Sequence, residues 1–229
     1  IDAPRRALEI IAAAQKNSLG QGFDVEDEAL TDLAMGNPLR ASLYAFNLIQ
    51  KKKKKVEGAP KPALARKVTK VGIVGAGLMA SQLALLVMRN LKVPVVITDL
   101  DQERVDKGIA YIKAEIAKSV EKKKLSPEAA VRLDSLISGS VSKDVYKDCN
   151  FIIEAIFEEL SLKQTLFKEL ESIVSEECIL ASNTSSLSVQ KMADGLKHPE
   201  RVIGFHFFNP VAVMPLLEVA RTTHTDDPT

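Results

Sequence analysis

Two sets of residues in this chain could do chemistry. The first is Gly75-Ala-Gly77, followed 22 positions after its second glycine by Asp99. Gly75 permits a tight turn after a strand. Gly77 lets the backbone approach a pyrophosphate on the N-terminus of the next helix, where free N–H groups and the helix dipole favour anions. Leu78 opens that helical run, and Ala80 stands where such fingerprints carry a third glycine; a methyl there still lets helix pack on strand. Asp99 can accept both hydrogen bonds of an adenosine ribose diol and would repel a 2′-phosphate. No arginine follows it before Arg104, so NAD is expected rather than NADP. The plain alternative is a glycine turn in an unrelated α/β sheet, with Asp99 as a helix cap.

The second set is His206 and Glu218. His206 ends a dense apolar run, where an unpaired imidazole is costly. A further apolar run, Met214–Val219, follows an Asn209-Pro210 turn. If the two runs fold back antiparallel, Glu218 lies beside His206. A carboxylate there fixes the imidazole tautomer and suits it to act as a general base. A core histidine satisfied by Glu218 without chemistry is the bland alternative. The polar run Ser182-Asn183-Thr184-Ser185-Ser186 also ends a strand, and its Ser185 could equally cap the next helix.

Alternating elements must position these groups. Strands are expected at 70–75, 94–99, 136–139, 150–154, 178–182 and 202–206, and helices at 78–90, 102–124, 127–134, 161–174 and 186–195. That order predicts an α/β fold, a doubly wound and mostly parallel sheet covered on both faces. Ligands in such sheets sit at the strands' carboxyl ends. Glu154-Ala-Ile-Phe157-Glu158-Glu159 reads there as an acidic loop. The long lysine-rich helix over 102–124 could be a solvent-facing arm or could meet the phosphates of an acyl carrier such as CoA.

Residues 1–55 read as helices at Pro4–Asn17, Glu26–Met35 and Pro38–Lys55, with Asp24 as a helix start and breaks at Gly20-Gln21-Gly22 and Gly36-Asn37-Pro38. Lys51–Lys55 suggests a solvated helix end, and Val56–Lys67 an interdomain linker. The start at Ile1 and the polar end near Thr229 read as cut termini.

The 229 residues are 46% hydrophobic, enough for one sizeable core and a smaller appendage. Net charge is +1, which argues against nucleic acid as the main partner. No apolar run approaches membrane-spanning length, and no signal peptide is evident. Cys149 and Cys178 read as small apolar residues in a reducing compartment. The three histidines lack metal-ligand spacing, so no metal site is expected.

Four segments in this order and spacing resemble the L-3-hydroxyacyl-CoA dehydrogenase family. They are Gly75-Ala-Gly-Leu-Met79, Glu154-Ala-Ile-Phe-Glu158, Ser182-Asn-Thr-Ser-Ser186, and His206-Phe-Phe-Asn-Pro210 with Glu218, over about residues 68–221. The last segment is the most specific. The version here is similar to the dehydrogenase region of the multifunctional fatty-acid β-oxidation α subunit, and residues 1–55 resemble the helical tail that follows its enoyl-CoA hydratase region. The resemblance implies a Rossmann-type NAD-binding domain at 68–221, preceded by a hydratase-like tail (1–55) and linker (56–67). Residues 222–229 would begin the connection to a C-terminal helical domain.

By the same resemblance His206 is the catalytic base, Glu218 its partner, and Ser185 the hydrogen-bond partner of the substrate's 3-oxygen, with Asn183 also near substrate. Gly75, Gly77, Leu78, Met79, Asp99, Phe157, Glu158, Lys163, Ser185 and Asn209 would contact NAD; for Lys163 a surface ion pair is the alternative. The implied reaction is oxidation of a 3-hydroxyacyl-CoA, with a thiolase subunit as a further partner. The expected location is the bacterial cytoplasm, with mitochondrion or peroxisome as alternatives. A non-catalytic NAD(H)-binding module and a dehydrogenase of free hydroxy acids are the competing readings.

Overall fold

A computed structural model describes residues 2–52 and 58–229. The chain divides into two compact units, residues 1–60 and 61–229. Lys53–Lys55 of the lysine run and Val56 and Glu57 of the expected linker lie outside the described residues.

The first unit is helical: α1 (Asp2–Ala14), α2 (Leu19–Met35) and α3 (Asn37–Asn47), the last followed by a π-helical turn, Leu48–Lys52. The break expected at Gly20-Gln21-Gly22 does not occur. Ser18 and Gln21 form a capping box, the Ser18 side chain accepting from the Gln21 N–H and the Gln21 side chain from the Ser18 N–H. This starts α2 before the glycines, upstream of the expected start at Asp24, and offsets their poor helix propensity. The break after Met35 occurs as expected, with Gly36 extended between the two helices.

The second unit is a seven-stranded sheet. Its strands are β1 (Val71–Val74), β2 (Val95–Thr98), β3 (Ile137–Ser140), β4 (Phe151–Glu154), β5 (Ile179–Ser182), β6 (Val202–Phe207) and β7 (Leu217–Arg221). They lie in the order β3-β2-β1-β4-β5-β6-β7, all parallel except β7. Every residue of β1, β2 and β5 is buried, as befits strands covered on both faces. One face packs against α4 (Leu78–Leu91), α5 (Gln102–Glu121) and α6 (Pro127–Asp134), through Leu83, Met88, Ile97 and Ile112. The other packs against α7 (Leu160–Ile173) and α8 (Val189–Ala193), through Tyr146, Phe167, Leu180 and Val202. The chain reverses between β1 and β4, the point in a doubly wound sheet where a crevice opens.

Three expected spans are shorter in the structure. α5 stops at Glu121 because Lys123 takes a left-handed conformation (φ 54°). α8 occupies only Val189–Ala193: Ser188, not Ser185, is its cap, and Gly195 turns away at φ 85°. The run after the Asn209-Pro210 turn becomes a strand only at Leu217. Met214 still donates to the Pro210 carbonyl, and Pro215 has no N–H for a ladder.

Residues 222–229 fold back on the sheet. Thr225 is buried and donates to the Val202 carbonyl at 2.7 Å, and Asp226 pairs with Arg66 at 3.0 Å. Cys149 and Cys178 are free and buried, and burial pushes both thiols up to about 12. Among the described residues no helix is long and apolar enough to cross a membrane, and no three His, Cys, Asp or Glu side chains gather to hold a metal.

Candidate active site

The strand order puts five carboxyl ends side by side: the glycine turn after β1, Asp99 after β2, Glu154 at the end of β4, Ser182 at the end of β5, and His206 near the end of β6.

At the first of these, Gly75 has φ 113°, and a Cβ there would meet the Ala155 carbonyl oxygen at 2.7 Å. Only glycine fits. A Cβ on Gly77 would meet nothing within 4 Å. Gly77 is the N-cap of α4 and brings no side chain to cap it, which leaves the helix's first N–H groups without a side-chain acceptor from the cap residue. That is a cradle for an anion. Asp99 is tied by the Ala76 N–H at 2.8 Å and the Leu100 N–H at 2.7 Å, each of its oxygens keeping a further acceptor direction. The cap of α5 is Asp101, whose side chain accepts from the Arg104 N–H, so Asp99 is not a helix cap. Arg104 lies 3.5 Å from Asp99 and 3.3 Å from Asp101, its charge balanced by two carboxylates. Gly108 belongs to this arrangement although nothing in its spacing marked it: a Cβ there would strike the Ala76 carbonyl oxygen at 2.8 Å, so glycine lets α5 lie against the turn.

At the other end, β6 and β7 pair so that His206 lies directly across from Glu218. Directly opposed residues on neighbouring strands bring their side chains together on one face. His206 Nδ1 is 2.8 Å from Glu218 Oε2. With Nδ1–H donated to the carboxylate, Nε2 is left as the acceptor. The Phe208 ring lies against the imidazole, ring centres 4.7 Å apart.

A cleft of about 380 Å³ opens between these two ends. Met79, Glu158, Lys163, Asn183, Ser185, His206 and Asn209 line it. The structure therefore brings seven of the expected residues together. Gly75, Gly77, Leu78 and Asp99 stand apart from this lining along the glycine turn and β2, and Glu218 stands behind the imidazole. Phe157 is 81% exposed and outside the lining. Asn183 does not present its whole amide to the cleft, since its Oδ1 accepts the Phe207 N–H at 2.9 Å.

Lys163 is not in a surface ion pair. It is 1% exposed, and its Nζ bonds both Glu154 oxygens, at 2.8 and 2.9 Å, with a Glu158 oxygen at 3.0 Å. Glu154, expected both within the 150–154 strand and at the start of the acidic loop, is the last residue of β4 and fully buried. Glu158 Oε1 in turn accepts from the Thr184 hydroxyl and from the N–H groups of Ser185 (3.0 Å) and Ser186 (3.3 Å). Burial alone would raise the Glu158 carboxyl. The Thr184 hydroxyl, the Lys163 ammonium and the Ser185 N–H outweigh it and hold the group down to about 2.

Comparison with known proteins identifies the family of the chain. The family described as 3-hydroxyacyl-CoA dehydrogenase, NAD binding domain, matches residues 70–229. A peroxisomal fatty acid beta-oxidation multifunctional protein of Arabidopsis thaliana is 34% identical over 97% of this chain and 30% of its own length. A fatty acid oxidation complex subunit alpha of Idiomarina loihiensis is 33% identical over 99% of this chain and 31% of its own length. The chain thus spans about a third of the length of these curated relatives. The crystal structure of an (S)-3-hydroxybutyryl-CoA dehydrogenase from Ralstonia eutropha superimposes with a TM-score of 0.67 at 38% identity, covering 70% of this chain and 56% of that one.

Proposed function

The chain belongs to the 3-hydroxyacyl-CoA dehydrogenase family through its NAD-binding domain, and on that premise we propose that it oxidises L-3-hydroxyacyl-CoA thioesters to 3-ketoacyl-CoA as part of a multifunctional β-oxidation enzyme. The observation that carries this reading is the His206–Glu218 pair at 2.8 Å, with His206 and Ser185 on one cleft. Nε2 of His206 takes the proton of the substrate's 3-hydroxyl. Glu218 holds the tautomer this requires and stabilises the charge that develops on the ring. The Ser185 hydroxyl donates to the same substrate oxygen and orients the carbon that bears it.

Gly75, Gly77 and Leu78 would hold the pyrophosphate of NAD, Asp99 the adenosine ribose, and Met79, Phe157, Glu158, Ser185 and Asn209 the nicotinamide half, with Lys163 acting on that half through Glu158. NAD, when bound, supplies the hydride acceptor. Asn183 is read as a substrate-side residue whose carbonyl end is already tied to β6.

The same reading extends to the chain's organisation. Residues 1–55 are the tail of a hydratase-like region, 56–67 a linker, 68–221 the dehydrogenase domain, and 222–229 the lead into a helical domain. A thiolase subunit is the expected partner, since the product is a 3-ketoacyl thioester. The location is read as the bacterial cytoplasm, with mitochondrion or peroxisome as alternatives; the name of the plant relative favours the peroxisome among these.

His206→Gln tests the reading. In the intact enzyme turnover of acetoacetyl-CoA with NADH should fall by about 10²–10⁴-fold, the usual worth of a general base, while NADH affinity stays within about twofold. Unchanged turnover would leave a binding module in place of an enzyme.

A further inference from the structure

The wall of the cleft holds charge in two tiers. The outer carboxylate, Glu158, has a side chain 39% exposed and takes the N–H groups of Ser185 and Ser186. The inner carboxylate, Glu154, is fully buried and accepts four hydrogen bonds from three groups. Ile156 N–H and Lys163 Nζ meet its Oε1, both at 2.8 Å, while Lys163 Nζ and the Ser182 hydroxyl meet its Oε2, at 2.9 and 2.6 Å. The same Lys163 ammonium reaches Glu158, so one cation joins the tiers. Ser182 sits beside Glu154 in the β4–β5 register and passes the tie on, accepting the Thr184 N–H.

We infer that Glu154 is a positioning residue for the dehydrogenation proposed above: through Lys163 and Ser182 it sets the place of Glu158 and of the loop that presents Ser185. Glu154 touches neither substrate nor cofactor in this arrangement, because the acceptor directions of both its oxygens are already taken by the chain itself. Its three anchors come from three elements: the loop after β4, α7 and β5. In the loop after Ser182 the Thr184 N–H bonds to Ser182 and the Ser185 and Ser186 N–H groups to Glu158, so these polar ties hold its backbone. Small displacements of a group that orients a reacting atom are costly in rate. A purely structural ion pair would support the sheet as a whole and leave the loop no looser than the rest.

The inference rests on the dehydrogenase reading for its catalytic consequence, but its first readout needs no reaction. Amide hydrogen exchange is measured by nuclear magnetic resonance on this chain with no cofactor added, for Glu154→Gln and for the paired, volume-matched Glu154→Met/Lys163→Met. Ser185 and Ser186 should exchange at least about tenfold faster than in the unaltered chain, while amides of β1 and β2 keep their protection. In the intact enzyme, kcat should fall by about 10²-fold with the KM for the acyl thioester within about threefold. Should Glu154→Gln unfold the sheet, the paired variant carries the test, since replacing a whole buried ion pair by apolar groups is tolerated far better than breaking it. Ser185 and Ser186 amides as protected as before in a folded variant would overturn the inference. So would an equal loss of protection across the whole sheet. If the exchange result holds and His206→Gln keeps its turnover, the loop anchor stands and the dehydrogenase reading is the one that fails.

Discussion

The two units of this chain have similar amphipathic raw material and put it to different use. In the helical unit Ala29 is the one fully buried residue among those described, and Phe23 stays 58% exposed beside a shallow hollow shared with Ile10 and Leu19. In the α/β unit Phe167, also on an amphipathic helix, is 0% exposed between α7 and the sheet. A helix stripe needs a second layer before its apolar residues contribute to a core. The sheet supplies that layer twice, once on each face, and the polar groups that line the cleft stand at the ends of its strands and on the loops and helices that follow them. The candidate site therefore sits on the unit whose sheet is covered on both faces.

The largest expected effect tests that contrast directly. Phe167→Ala should destabilise the α/β unit by about 3–5 kcal/mol, the cost of a cavity in a packed core, while Phe23→Ala should cost below about 0.5 kcal/mol, as for an exposed surface change. Chemical denaturation of the two variants, followed by circular dichroism, measures both; comparable losses would break the distinction. A smaller effect is expected at Ser18→Ala. Loss of the capping box should cost α2 about 1 kcal/mol, read as faster amide exchange at Gln21 and Gly22 with the sheet unaffected. The smallest and most local effect is acid-driven. Glu158 lies at about 2 in the folded chain against an ordinary 4.5, so its ties to the serine loop are in full force above about pH 4.5 and are lost as pH falls towards 2. The Ser185 and Ser186 amide signals should move over that interval, and a loop indifferent to it would show that Glu158 does not hold it.

What the chain made legible was whatever depends on neighbours in sequence. Strands such as Val95–Thr98 show as short apolar runs because parallel strands bury both faces. The His206–Glu218 pairing was readable because two apolar runs flank a proline turn, so an antiparallel return brings the pair together. Glu154 fell in the expected 150–154 strand and at the head of the acidic loop, but its ties were not legible because nothing next to it announces a partner. Its cation lies nine residues on, across a helix turn, and its hydroxyl partner comes from β5. The signal that could have exposed it is a carboxylate closing an apolar strand, with serine closing the next strand at the matching place. The start of α2 was missed for the opposite reason. Gly20 and Gly22 are strong breakers taken singly, yet Ser18 and Gln21, three apart, spell the box that overrides them. Gly108 was silent because its use lies in closeness to Ala76, a contact between elements far apart in the chain.

The imidazole and carboxylate owe their meeting to how β7 is counted off against β6. Were β7 to slip by a single residue, Glu218 would turn to the far side of the sheet, and His206 would face Leu217 or Val219 instead. The connection between Phe207 and Leu217 is thus a ruler as much as a turn. Its length decides whether the imidazole has its carboxylate, and loss or gain of one residue there would part the two while leaving both side chains in the chain.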